Sequence, residues 1–266
     1  MSIAADPGAP LHTDHALQPP ALDVARLAAN LAAVRARIDA ACVAAGRAPH
    51  SVALLPVSKT VEASRLRLAH AAGCRLLGEN KVQEARDKAA ALADLSDLQW
   101  AVIGHLQTNK AKYVARFASQ FHALDSLEVA ALLDRHLQAQ GRSLEVFVQV
   151  NTSGESSKYG LAEAQVGAFV RTLPAFASLR LRGLMTLARF SPDPALVRPC
   201  FARLRQLRDR LRQDEPAAAG LAGLSMGMSG DFELAIAEGA TVVRVGQAIF
   251  GARALPDSHY WPGEGG

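Results

Sequence analysis

Two basic residues and one serine–glycine turn stand out for the chemistry they could perform. Lys59 ends the apolar run VALLPVSK (52–59) and is the first lysine in a chain that otherwise prefers arginine. A lysine desolvated at an apolar site has a lowered pKa, and its neutral amine can condense with an aldehyde to a Schiff base. Arginine stays protonated and cannot do this. The plain alternative is a strand-end lysine whose stem covers apolar surface while its head reaches water. Arg244 interrupts the apolar run VVRVG. A buried guanidinium needs a partner, either a carboxylate of the protein or an acceptor on a ligand. In GLSMGMSGDFE, Ser225 and Ser229 offer hydroxyls, and Gly227, Gly230 and the later Gly246 let backbone N–H groups approach an anion. Ser229-Gly230-Asp231 opens a helical stretch, which suits a phosphate, although a simple Ser229 or Asp231 N-cap uses the same residues. A lysine imine, a phosphate pocket and an arginine at a ring nitrogen together describe pyridoxal 5′-phosphate. Facing an arginine, its pyridine stays unprotonated and is a weaker electron sink than one paired with aspartate.

These residues are far apart in sequence, so a frame must bring them together. Residues 1–20 read as a flexible tail, and a helical pattern carrying Leu27, Leu31, Val34 and Ile38 runs over 22–45. Strand-like runs follow at 52–59, 74–80, 99–105, 121–126, 144–151, 180–188, 223–229 and 241–251. Helical patterns at 62–72, 81–93, 109–118, 127–140, 162–172, 194–213 and 231–238 separate them. Strands alternating with helices pair in parallel through right-handed crossovers. The pattern predicts a single α/β domain over 21–255, a (β/α)8 TIM barrel with a leading N-terminal helix, and a C-terminal tail at 256–266. An open doubly wound sheet would require a GxGxxG turn, and neither that nor a GxxxxGK[ST] loop occurs. Active groups of a barrel sit where its strands end. Here those ends read Ser58-Lys59-Thr60, Gly78-Glu79-Asn80, Gly104-His105, Asp125-Ser126, Val150-Asn151, Met185-Thr186, Ser225 to Ser229, and Arg244 to Gln247.

Composition narrows the classes. In 266 residues, 50% are hydrophobic and 20% charged, which fits a soluble globular chain with a full-sized core. Cys42, Cys74 and Cys200 form no CxxC pair or disulfide framework, and no apolar run is long enough to span a bilayer. The N-terminus lacks a secretory pattern, so the expected location is cytoplasmic, with no membrane partner. The net charge of +4 is concentrated in Arg198 to Arg212, where Val197, Phe201, Leu204, Leu207 and Leu211 form the apolar stripe of a helix. A solvated helix face explains those arginines without a nucleic-acid partner. The 8 histidines are dispersed and make no HExxH or metal cluster. His105 follows a strand-end glycine and could pack on a cofactor or simply order its loop. Lys158 reads as a solvated loop lysine, with contact to a ligand carboxylate as the alternative. Tyr159 reads as a packing or hydrogen-bonding loop residue, with acid–base work as the alternative.

The same stretches resemble the pyridoxal phosphate homeostasis protein family, related to the barrel domain of alanine racemase and to the fold-type III arrangement. The resemblance is carried by PVSKT (56–60), GENKVQEA (78–85), WAVIGHLQTNK (100–110), DS (125–126), VQVNTSGESSKYG (148–160), LRGLMTL (181–187) and LSMGMSGDFELAIAEGATVVRVGQAIFG (224–251). It covers roughly residues 22–252. It implies pyridoxal phosphate bound on Lys59, with phosphate contacts from Ser225, Ser229 and the Gly246-Gln247 backbone. It further implies Arg244 at the pyridine nitrogen and Asn80 and Met226 near the cofactor. The chain departs from the family at Val61, where a second lysine is usual, and at Gln247, where threonine is frequent. Ser229-Gly230-Asp231 stands where SDD is common.

Proteins of that family are thought to carry or buffer the cofactor, with no firm enzymatic activity assigned to them. The expectation is therefore a non-catalytic carrier that delivers pyridoxal phosphate, through transient contact with apo-enzymes that use it. The alternative is an amino-acid racemase or decarboxylase using the same cofactor. Such enzymes add a β-domain after the barrel and dimerise, whereas this chain ends soon after its eighth strand, which favours carriage and a monomer. A mouth open to water weakens electrostatic preorganisation and lets cofactor exchange.

Overall fold

A computed structural model of the chain describes residues 23–251, so the tails expected at 1–20 and 256–266 lie outside the described residues. Asp23 caps the leading helix α1 (Val24–Ala44), its carboxylate accepting the Arg26 N–H at 2.8 Å. Leu27, Leu31, Val34, Ile38 and Cys42 recur at helical spacing and are buried on one face.

Eight strands follow: β1 (Ala53–Pro56), β2 (Leu76–Glu79), β3 (Gln99–Val102), β4 (Gln120–Leu124), β5 (Leu144–Gln149), β6 (Leu179–Met185), β7 (Gly223–Ser225) and β8 (Val242–Val245). Between them lie α2 (Ala63–Ala71), α3 (Val82–Ala91), α4 (Ala111–Phe117), α5 (Leu127–Gln138), α6 (Glu163–Thr172), α7 (Pro194–Asp214) and α8 (Phe232–Ala237). Every strand pair is parallel, and the order β1-β8-β7-β6-β5-β4-β3-β2 wraps the first strand onto the last. β1 runs in register with β8 from Ala53↔Val242 to Pro56↔Val245. Between β1 and β2 the ring is joined only by the Val57↔Gly78 bridge, where the Ser58 N–H donates to the Gly78 carbonyl at 2.9 Å. The barrel is therefore nearly closed, with a thin seam beside Lys59. This is the (β/α)8 fold with its leading helix that the alternation predicts.

The helices cover the ring with their apolar stripes. In α7, Val197, Phe201, Leu204, Leu207 and Leu211 are buried, as their spacing indicates. Of the arginines between them, Arg198 and Arg205 both pair with Glu238, at 2.6 and 3.1 Å. The helix α1 packs on α2 and α8, and Asn30 donates its amide to the Ile249 carbonyl at 2.9 Å.

One element differs from expectation. The apolar run 241–251, read as one strand, splits into β8 and a short helix α9 (Gln247–Phe250). Ile249 and Phe250 are buried and packed under α1. An apolar run buried on all sides has no periodicity to tell strand from helix. The turn at Gly246 makes the break, its carbonyl accepting the N–H of Ile249 and Phe250 at 2.9 and 3.0 Å.

Candidate functional site

A cavity of about 430 Å³ opens where the strands end. Each strand end that lines it contributes one to three residues. Lys59 and Thr60 follow β1, Asn80 follows β2, Gly104 and His105 follow β3, and Gln149 ends β5. Leu187 follows β6, Met228 and Ser229 follow β7, and Arg244 and Gly246 come from β8 and its turn. Of the residues read from the sequence, Lys59, Asn80, Ser229, Arg244 and Gly246 thus meet around one space. Ser225 and Met226 are fully buried and do not line it, and Gln247 starts α9.

Glycine is required at 104. A Cβ there would lie inside the van der Waals radius of the Asn80 carbonyl oxygen, so only glycine lets the β2 and β3 turns approach as they do.

Arg244 is 3% exposed. Its guanidinium donates to Ser225 Oγ and to the Thr186 carbonyl, both at 2.8 Å. Among the described residues it makes no ion pair with a carboxylate. Burial lowers its pKa to about 10, against a weak opposing pull from Asp231. A cation desolvated at a cavity wall and held only by neutral groups favours an acceptor or anion in that cavity.

Behind Arg244 runs a chain of hydrogen bonds whose direction can be worked out. Gln120 Nε2 donates to Glu145 at 3.0 Å, so its carbonyl oxygen is the atom facing His122 Nε2, 3.0 Å away. His122 must therefore carry its proton on Nε2. Its bare Nδ1 accepts the Ser225 hydroxyl at 2.9 Å, and Ser225 in turn accepts from Arg244. His122 lies on β4 and Ser225 on β7, so the chain crosses the barrel interior. Burial, with Arg244 nearby, drives the His122 pKa down to about 3, which keeps the ring neutral. The Ser225 proton is committed to His122. Ser225 therefore links Arg244 to His122.

At the other end, Asp231 Oδ1 accepts the Met228 N–H at 2.5 Å and ties down the turn that carries Ser229. Burial pushes the Asp231 carboxyl up. The rim is formed by His105 and Tyr159, whose rings stack. Asp125 lies 3.8 Å from His105 Nδ1, and burial raises its carboxyl pKa. Lys158, read as a solvated loop lysine, is instead tied in. Its ammonium donates to the Ala188 carbonyl at 2.8 Å and pairs with Glu155 at 2.5 Å. Gln149 is a cavity residue that the sequence reading missed. It is 4% exposed and holds the Tyr159 carbonyl at 3.2 Å. A glutamine within the apolar run LEVFVQVN was the available signal.

Comparison with known proteins agrees with this arrangement. The family model for the alanine racemase N-terminal domain matches residues 22–254. A pyridoxal phosphate homeostasis protein of Pseudomonas aeruginosa is 47% identical over 227 residues, 85% of this chain and 96% of that one. PipY of Synechococcus elongatus PCC7942, solved with PLP bound, is 38% identical with a TM-score of 0.74, over 85% of this chain and 100% of that one. An alanine racemase from Streptomyces coelicolor A3(2) is similar in fold, at 20% identity and a TM-score of 0.64, over 87% of this chain but 59% of that one.

Proposed function

Because the chain belongs to the alanine racemase N-terminal domain family, and within it to the pyridoxal phosphate homeostasis proteins, we propose that it binds pyridoxal 5′-phosphate reversibly and buffers or delivers it. The observation that carries this reading is Arg244, a buried cation with no carboxylate partner among the described residues, on the wall of a cavity that also contains Lys59. The residues fit the group. The cavity is within the range of roughly 300–1,000 Å³ of small-molecule sites. It joins an amine, a neutral-held guanidinium and a serine–glycine turn. When bound, pyridoxal phosphate supplies an aldehyde that an amine can condense with, releasing water.

In this reading Lys59 provides the amine, and Arg244 faces the pyridine nitrogen and keeps it unprotonated. Ser229 and the Gly246 backbone receive the phosphate, and Asn80 packs beside the ring. Ser225 acts through Arg244, Met226 lies near the ring, and the Gln247 backbone joins Gly246 at the phosphate. The binding domain, assigned from the sequence to 21–255, works as a cytoplasmic monomer that meets apo-enzymes transiently, with no nucleic-acid or membrane partner. An arginine at the ring nitrogen leaves the pyridine unprotonated and makes it a weaker electron sink than one paired with aspartate.

The test is an absorption spectrum of the protein with added pyridoxal phosphate, beside that of Lys59→Ala, followed by borohydride reduction and peptide mapping. An imine band lost in the variant, with the reduced adduct on Lys59, supports the reading. A wild-type chain that never develops the band overturns it. Racemase and decarboxylase assays on the loaded protein then separate carrier from enzyme.

A further inference from the structure

The GENKVQEA segment and the lysine just beyond it place three charged side chains against the residues that flank Lys59. Lys88, near the end of α3, is buried. Its ammonium donates to the Ser58 carbonyl at 2.7 Å, to Glu79 Oε1 at 2.7 Å and to Glu84 Oε1 at 2.6 Å. Glu79 Oε1 also accepts the Ser58 hydroxyl at 2.6 Å, and Glu84 Oε1 accepts the Thr60 N–H at 2.6 Å. The residue before Lys59 and the residue after it are thus held by one ionic cluster, while Lys59 between them lines the cavity.

Two further observations show why such a clamp is needed there. Thr60 has φ 66°, in the left-handed region that a β-branched residue rarely adopts. The segment also lies at the seam, where a single bridge joins β1 to β2, so no run of ladder hydrogen bonds fixes it. The cluster is costly to assemble. Glu79 is fully buried, and its Oε2 has no hydrogen-bond partner. Buried ion clusters are weak sources of stability, so stability alone does not account for this one. Glu84 and Lys88 are one helical turn apart, so α3 presents both to the seam at once.

We propose that Lys88 is a positioning residue for Lys59. Through Glu79 and Glu84 it clamps Ser58 and Thr60 across the seam and so aims the Lys59 amine into the cavity. The consequence for ligand rests on the pyridoxal phosphate reading; the clamp itself does not.

The experiment uses the full chain as wild type, Lys88→Met and Glu84→Gln. Hydrogen exchange of peptides covering 58–61 is followed without ligand, and imine formation and borohydride trapping are followed with pyridoxal phosphate. Exchange in that segment should rise about tenfold in both variants while α5 and α7 keep wild-type protection. Imine affinity should fall about tenfold, with part of the trapped adduct moving to Lys81, which lines the same cavity. Unchanged exchange overturns the clamp. Raised exchange with wild-type affinity and trapping only at Lys59 overturns its role in aiming the lysine. If the wild-type chain gives no imine, the cofactor reading fails, and the exchange data alone decide whether the clamp exists. Should Lys88→Met not fold, Glu84→Gln, which keeps the Lys88–Glu79 pair, carries the same comparison.

Discussion

His105 and Tyr159 stack ring on ring, with centroids 3.9 Å apart and planes 9° from parallel, although one follows β3 and the other sits in the loop after β5. Tyr159 is 59% exposed, so the pair closes part of the rim while remaining in contact with water. Such a stack contributes about 0.5–1.5 kcal/mol beyond its buried area. Tyr159→Ala should therefore release pyridoxal phosphate roughly 2- to 10-fold faster. Stopped-flow transfer to an excess of a competing amine reads this rate. An unchanged rate would remove the stack from any gating role.

Arg244 gives a prediction with opposite signs for stability and binding. The folded chain carries the desolvation cost of this cation with no ion-paired carboxylate among the described residues, only the pull of Asp231 opposing it. Arg244→Met should leave the melting temperature of the ligand-free protein unchanged or higher, yet weaken pyridoxal phosphate binding about tenfold or more. Thermal melts and equilibrium titration test the two halves separately. A large loss of ligand-free stability with intact binding would make Arg244 a structural residue.

His122 sets a pH dependence. Its pKa is about 3 in the folded chain against an ordinary 6.5. Between those values the unfolded chain binds the proton and the folded chain does not. The contribution to stability is thus fully present above pH 6.5 and is lost as pH falls toward 3. It amounts to about 5 kcal/mol at most, from 1.36 kcal/mol per pKa unit. Urea unfolding of wild type and His122→Gln across that window should give a steeper decline for wild type. Parallel declines would show that the histidine is not held neutral.

Gly104 allows no side chain. Gly104→Ala drives a methyl into the Asn80 carbonyl, and relief requires the β2 or β3 turn to move. The expected cost is about 1–3 kcal/mol, with loss of pyridoxal phosphate binding greater than that cost alone produces. Denaturant melts beside ligand titration check it. Wild-type binding would show that the two turns can part without disturbing the site.

Much of this architecture was legible in the chain because its strands are short, apolar and separated by amphipathic helices. Lys59 and Arg244 were visible for a related reason, each being a residue type out of place in an apolar run. What was hidden depends on facing across the barrel. That Ser225 bonds to His122, and that Met226 is buried away from the cavity lining, follows from which strands oppose one another, which no local pattern records. Glu79 and Glu84 were visible only as part of a motif and Lys88 not at all, because their meeting requires the placement of α3 against β2. The α9 turn was hidden for want of periodicity.

The wrapping of β1 onto β8 has a consequence for how copies of this protein come into being. Asn30 and its acceptor Ile249 are 219 residues apart, and the strand carrying Arg244 leaves the ribosome after the other seven. A nascent chain therefore exposes its lysine long before the anion-facing turns exist, and β1 has no β8 partner until that strand is made. Closing the ring by so distant a pairing is slow, because the entropy of closing that loop is spent before the contact forms. A chain that stops before β8 lacks Arg244, Gly246 and the pairing partner of β1, so the cavity has a complete wall only once that strand is in place.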